Sequence, residues 1–268
     1  MKTTKQYVEG RDWEKYRMAN ANFPNARKIE VGVMVDLIDP QLGQKILEAG
    51  TGNGVITVPL ANAVGKDGTV VTYDATKENT VAIQEKDLPN VTAKVQALEY
   101  NLDEKDGEVD TVVSLAAFHH YDSNIKDSGG TGFAGRLRAL KEFARVLKPG
   151  GKVVIGDIAT NTGSARYFDS IDTPELCPGG HPHDFLNKNL VDKLCQQAGL
   201  MVKEFTIKKV PWTFNGVNEA QTFINTIHGS LCSEEESLEH AKKYLKFWKQ
   251  DDKYHLEWWL FYLVAEKK

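Results

Sequence analysis

Cysteine is scarce in this sequence. Cys177, Cys195 and Cys232 are odd in number, far apart and free of any C-x-x-C pair, which argues against a disulfide frame or a cysteine-based zinc site. A reducing compartment fits that usage. Long apolar runs are also lacking. The N-terminus, MKTTKQYVEGRDWEKY, holds nothing like a secretory signal. The longest late run, residues 258–265, is too short to span a bilayer and reads as a buried strand. Positive charge is not in excess either: 33 Lys and Arg against 37 Asp and Glu leave a net charge of −4. Such a balance gives no general attraction to nucleic acid or to an anionic membrane. The local run of cations over 136–145 reads as a solvated helix face. A cytoplasmic protein that meets neither membrane nor nucleic acid is the expectation, as a monomer or a homodimer.

What is present is an ordinary globular composition, 41% hydrophobic and 26% charged over 268 residues. Short β-rich runs alternate with helical spacing. Strands are expected near 45–49, 69–74, 91–97, 109–114 and 152–158, with helices at 55–64, 77–86 and 133–147, the last stopped by Lys148-Pro149-Gly150-Gly151. That alternation predicts βαβ units and a parallel sheet with helices on both faces. Further on come a helix at 187–198, a strand at 201–210, helical segments at 217–228 and 233–249, and a final strand at 255–265. The first forty residues are aromatic, polar and mostly helical.

The stretch ILEAGTGNGVITVPLA carries the chemistry. Glycine is entropically costly, yet Gly50, Gly52 and Gly54 alternate with Thr51 and Asn53 between the first strand and its helix. A turn of that kind sets backbone N–H groups beside a ligand at a helix N-terminus. The dinucleotide fingerprint G-x-G-x-x-G/A would need a small residue where Val55 stands. The pattern is instead E-x-G-x-G-x-G, led by Glu48, which suits a ligand with an amino-acid head and a nucleoside. Asp74, twenty residues after Gly54 and followed by Ala75, ends the second strand. It can accept hydrogen bonds from a ribose diol or cap the next helix.

In order and spacing, ILEAGTGNG, VVTYDAT, VDTVVSLAAFHH and RVLKPGGKVVIGDI resemble the successive motifs of class I S-adenosylmethionine-dependent methyltransferases. The resemblance covers roughly residues 40–160. It implies an α/β fold: a doubly wound seven-stranded Rossmann-like sheet, six strands parallel and the last antiparallel. Residues 1–40 would form an N-terminal helical lid segment and 41–268 the methyltransferase domain, with a helical insertion at about 215–250. The cofactor implied is S-adenosyl-L-methionine, leaving as S-adenosyl-L-homocysteine, with Glu48 and the Gly50–Gly54 loop at its methionine end and Asp74 at its ribose. Relatives often carry an acid after the third strand for the adenine amine. Here Leu98 holds that place with Glu99 one residue on, and the adenine contact stays open between them and backbone atoms.

Ligands of open α/β sheets sit beyond the carboxyl ends of the strands. That rule selects Ser114 and Leu115 beside the cofactor, then Phe118, His119 and His120, Asp157, and Trp212. Tyr7 and Trp13, Tyr16 and Arg17 lie on the N-terminal helix, the last three near one face. His119 and His120 are candidate general bases, of which only one is expected to face the pocket. Asp157 could orient a histidine or meet a cationic substrate. His181 and His183 could line the substrate pocket, or hold a metal with Asp157 or Asp184, although methyl transfer requires no metal. The expected substrate is a small-molecule methyl acceptor reacting through oxygen, nitrogen or carbon. RNA methylation is the alternative, disfavoured by SLAAFHH where amino-methylating enzymes carry (N/D)-P-P-(Y/F). A non-catalytic cofactor-binding protein is a third reading.

Overall fold

A computed structural model of the chain describes residues 13–97, 101–122, 133–182 and 184–268. Two helices come first, α1 (Trp13–Asn22) and α2 (Lys28–Ile38). The sheet then begins with β1 (Lys45–Ala49), α3 (Thr57–Val64), β2 (Thr69–Asp74), α4 (Lys77–Gln84) and β3 (Val91–Val95). The second half follows with β4 (Val109–Leu115), a 3-10 turn at Phe118–His120, α5 (Ala134–Val146) and β5 (Leu147–Asp157). Next are α6 (Gly163–Ile171), α7 (Lys188–Gln197) and β6 (Leu200–Lys209). A long connection carries β7 (Trp212–Phe214), α8 (Val217–His228), α9 (Glu234–Lys242), β8 (Phe247–Gln250) and β9 (Lys253–Leu256), before β10 (Trp259–Lys267) closes the chain.

The main sheet has seven strands in the order β3-β2-β1-β4-β5-β10-β6. The pairs from β3 through β5 are parallel, and β10 runs antiparallel to both β5 and β6. This is the expected doubly wound α/β sheet with one reversed strand. Alternation explains why it is covered on both sides. Ile46, Val154 and Tyr262 face one core with Met34 and Ile38 of α2 and Leu60 of α3. Leu47, Val153 and Phe261 face the other with Phe143 of α5 and Leu194 of α7. Strand order reverses between β1 and β4, so the crevice beyond their carboxyl ends is where a ligand is expected.

Three expectations need correction. The helix expected over 233–249 ends at Lys242, and 247–250 is strand. Asp251 and Asp252 both adopt positive φ (48° and 60°) and form the two-residue turn of a hairpin, a conformation short acidic side chains tolerate. Cross-strand stacking of Phe247 on Tyr254 and of Trp248 on His255 holds the pair. The insertion is therefore two helices and a three-stranded sheet ordered β7-β9-β8. The final strand of 255–265 is two strands, parted where Trp258 turns inward to stack on Trp212, ring centroids 4.0 Å apart. Helix α6 was not expected. Thr162 caps it, accepting from Ala165 N at 3.2 Å, and it buries Tyr167, Phe168 and Ile171 on one face.

The cations of 136–145 divide between a solvated face, with Arg138 and Lys141 exposed, and internal ties made by Arg136 and Arg145. Arg136 is buried, paired with Asp122 and stacked over Phe133. Arg145 spans Glu142, Asp106 and two backbone carbonyls. No helix among the described residues is long and apolar enough to cross a membrane.

Candidate active site

One cleft lies at the strand reversal. Its volume, counted out to the open mouth, is about 1220 Å³. The floor at one end is the glycine loop. Gly50 and Thr51 donate their N–H groups to Tyr73 O at 2.9 and 3.2 Å, which ties the loop to β2. Gly50 has φ +86°, and a Cβ there would sit 2.3 Å from Ala117 Cβ. Gly54 has φ +81° and would meet Ile83 Cδ1 at 2.4 Å. Protein neighbours, as well as any ligand, therefore forbid side chains at these two positions. Gly54 does not line the cleft, contrary to its assignment to the cofactor; Gly50, Thr51, Gly52 and Asn53 do.

Glu48 is 1% exposed. Its Oε2 accepts from the hydroxyls of Thr57 (2.6 Å) and Thr51 (3.2 Å). Its Oε1 is buried without a hydrogen-bond partner, as is Asn53 Oδ1. Burial pushes the Glu48 carboxyl up to about 7, against the opposing hydroxyl bonds. The ligand-free fold therefore holds a proton that the unfolded chain releases near its ordinary value of 4.5. That stabilisation is complete below this value and is lost as pH rises through about 7. A melting series from about pH 5 to about pH 8 should show ligand-free stability falling, by up to about 3 kcal/mol from this group. Glu48→Gln should flatten the upper part of that slope; an unchanged slope would show that another group controls it.

Asp74 closes the same end. Its Oδ2 accepts from Gly52 N at 2.9 Å, and its Oδ1 from Thr76 N at 2.8 Å and Asn79 Nδ2 at 3.2 Å. Burial raises its pKa, opposed by these donors. The Thr76 hydroxyl also donates to Asp74, so the roughly four accepting positions of the carboxylate are engaged, and a ligand hydroxyl would take the place of one of the two side-chain donors. Asp74 thus ties down the turn that opens α4 and also lines the cleft.

The other end of the cleft gathers histidines. Ala116 has positive φ (53°) and starts the tight 3-10 turn that carries Phe118, His119 and His120. Both histidines line the cleft, their rings 4.2 Å apart. The expectation that only one would face it fails because a 3-10 turn, unlike a strand, does not send successive side chains to opposite faces. His119 is 5% exposed. Its Nδ1 donates to Asp157 Oδ1 at 2.6 Å, and its backbone N–H to Asp157 Oδ2 at 2.9 Å. Since a carboxylate only accepts, Nδ1 carries the proton. His119 Nε2 is buried and has no hydrogen-bond partner. Asp157 also accepts from Ile158 N at 2.7 Å; it orients His119 and is not placed to meet a cationic substrate. His181 stacks on Phe168, centroids 3.9 Å apart, and its Nδ1 donates to Pro182 O at 2.7 Å.

Several assigned residues are elsewhere. Ser114 is fully buried with its hydroxyl 3.0 Å from Tyr121 OH, and Phe118 packs edge-on to Tyr121 in the core, so neither lines the cleft. Both lie on the opposite face of β4 and its turn from Leu115, which does line it along with Ala75. Arg17 reaches Asn79 Oδ1 at 3.3 Å, bracing the residue that holds Asp74, instead of entering the cleft. Tyr16 covers Gly52, and Trp212 enters from the insertion. Tyr7, Leu98, Glu99, His183 and the side chain of Trp13 lie outside the described residues. Thr76, Asn79, Phe168, His228 and Trp258 line the cleft without having been expected. Of these only Thr76 and Asn79 had a local signal, as polar residues just past Asp74. Helices α1 and α8 pack on one another above this cleft.

Residues 47–155 match the methyltransferase domain family. The chain is 34% identical over 146 residues to a demethylmenaquinone methyltransferase of Bacillus mycoides, covering 50% of this chain and 56% of that protein. It is 35% identical over 82 residues to a tRNA adenine N(1)-methyltransferase of Methanocaldococcus jannaschii, 29% of each chain. The match thus spans about half the length of the first relative and less of the second. Among solved structures, the YcgJ protein from Bacillus subtilis superposes with TM-score 0.61 at 17% identity, covering 89% of this chain and 97% of that one. Residues 47–155 thus carry a methyltransferase domain match, and with its motifs in order, its 3-2-1-4-5 parallel strands and its reversed last strand the chain is similar to class I methyltransferases, whose cofactor is S-adenosylmethionine.

Proposed function

We propose that the chain methylates a small molecule at a nucleophilic oxygen, nitrogen or carbon. The observation that carries this reading is the continuity of the cleft. Glu48, the glycine loop and Asp74 form one end. The histidines, Phe168, Trp212 and Trp258 form the other. The first end suits the cofactor. Buried, partnerless acceptors on Glu48 and Asn53 match an ammonium group, and Asp74 lines the same end, where a ribose hydroxyl could replace a side-chain donor. S-adenosylmethionine supplies a methyl group already activated by a sulfonium.

The protein's part is then to hold the acceptor in line, exclude water and take a proton. Alignment is worth about 7–11 kcal/mol at best. The aromatic walls and the α1–α8 roof supply the dry, shaped surroundings. His119 is held through Nδ1 by Asp157 and has a basic Nε2, so it is the group placed to accept a proton, which is worth roughly 10²–10⁴-fold. A cleft walled by aromatic side chains, with Tyr16 of α1 and His228 of α8 in its lining, favours a metabolite over a nucleic-acid strand. The tRNA-enzyme similarity covers less than a third of the chain, and of the cations of 136–145, Arg136 and Arg145 are engaged internally. Incubation with S-adenosylmethionine and a metabolite extract should yield products one methylene heavier by mass spectrometry. Transfer to RNA alone, or a melting temperature raised by NAD but not by S-adenosylmethionine, would overturn the reading.

A further inference from the structure

We infer that His119, His120 and His181 form a binding site for a divalent transition-metal ion of the zinc type. One ring nitrogen from each lies within 4.8 Å of the other two. The proton positions favour coordination. His119 gives its Nδ1 proton to the Asp157 carboxylate and His181 gives its own to the Pro182 carbonyl. For His119 and His181 the nitrogen left to coordinate is then Nε2. Histidine ligands of metals characteristically spend their other N–H on a carboxylate or a backbone carbonyl, and both kinds of support are present here. His119 Nε2 is buried without a hydrogen-bond partner, and a metal ion would supply one.

The surroundings hold the rings in place. Phe168 stacks on His181, and Phe185 packs against His119 at 5.9 Å between centroids. Tetrahedral zinc with bonds near 2.0–2.1 Å sets its ligand nitrogens about 3.3 Å apart, so modest ring rotations would close the site. Three neutral nitrogen ligands select a borderline-soft ion over magnesium or calcium, which require oxygen. A fourth position remains for water or for a donor atom of the acceptor. This inference rests on the proposed function only for the place of the acceptor. Metal on Nε2 and proton acceptance by Nε2 exclude one another, so a loaded site would replace His119 as base by a bound ion.

The test is calorimetric titration of chelator-stripped full-length protein with Zn²⁺, with Co²⁺ as a visible-spectrum probe and Mg²⁺ as control. One equivalent of Zn²⁺ should bind, Co²⁺ should give tetrahedral ligand-field bands, and Mg²⁺ should give no heat. His120→Ala, at a half-buried position that folding tolerates well, and His181→Ala should each weaken Zn²⁺ binding at least about 100-fold. Asp157→Asn, acting through His119, should weaken it about 10- to 100-fold. Absence of Zn²⁺ binding, or binding indifferent to both histidine substitutions, would overturn the site. The melting shift caused by S-adenosylmethionine, measured on the same samples, reports the methyltransferase reading separately.

Discussion

Asp74→Ala should lower S-adenosylmethionine affinity at least about 100-fold, measured by calorimetry. One hydrogen bond from a ligand hydroxyl to this buried carboxylate is worth about 1.5–3 kcal/mol, or roughly 10- to 100-fold. The remainder comes from the protein side. Gly52 N, Thr76 N and Asn79 Nδ2 all lose their acceptor, so the loop and the start of α4 lose their common anchor. Asp74→Asn separates these contributions. An amide has one accepting oxygen, while donors approach from two sides, so its NH2 must oppose either Gly52 or Thr76. Asn should therefore bind the cofactor poorly too, although it retains the volume of Asp. Affinity unchanged in Asp74→Asn would mean that the carboxylate does not hold the loop, and affinity unchanged in Asp74→Ala would remove Asp74 from the cofactor site.

The glycine-loop half of the cleft was legible because it is local. Glu48, Gly50, Gly52 and Asp74 follow from two strand ends and the spacing between them, and a parallel sheet brings such ends together. The opposite half was less so, because it depends on segments far apart in sequence. His181 was noticed as part of an H-x-H pair, but its partners turned out to be His119 and His120, sixty residues earlier, joined to it by the packing of α6 and the loop that follows. Phe168 comes from a helix whose start, Thr162-Gly163-Ser164, carries weak propensity. Trp258 and His228 enter from the ends of an insertion whose chain path no spacing rule fixes. The hairpin at 247–256 was hidden for a different reason: helix-favouring Lys243, Leu245 and Lys246 continue the pattern of α9 beyond Lys242, and only Asp251-Asp252 announces the turn. Gly54 was misread because its constraint, contact with Ile83, is made by a helix one crossover later.

Arg27→Met should destabilise the fold by about 3–5 kcal/mol, the usual cost of stranding one member of a buried ion pair. Glu30 is completely buried and Arg27 nearly so. Arg27 Nε donates to Glu30 Oε2 at 3.0 Å and its Nη2 donates to Oε1. Burial opposes the guanidinium charge, but the Glu30 carboxylate outweighs it and holds Arg27 well above its ordinary value. Trp212 Nε1 also donates to Glu30 Oε2 at 3.0 Å, and Arg27 Nη1 lies 3.4 Å from Tyr16 OH. The pair thus joins the start of the chain to the insertion at two residues that line the cleft. Methionine fills the volume but leaves a buried carboxylate with Trp212 as its remaining side-chain donor. The double variant Arg27→Met/Glu30→Gln removes that charge and keeps an acceptor for Trp212, so it should recover more than half of the loss. Urea unfolding with an unchanged denaturant slope measures both. If the double variant were as unstable as the single one, the stranded charge would not be the cause, and the loss would lie in the bond from Arg27 to Tyr16 and its packing against the roof.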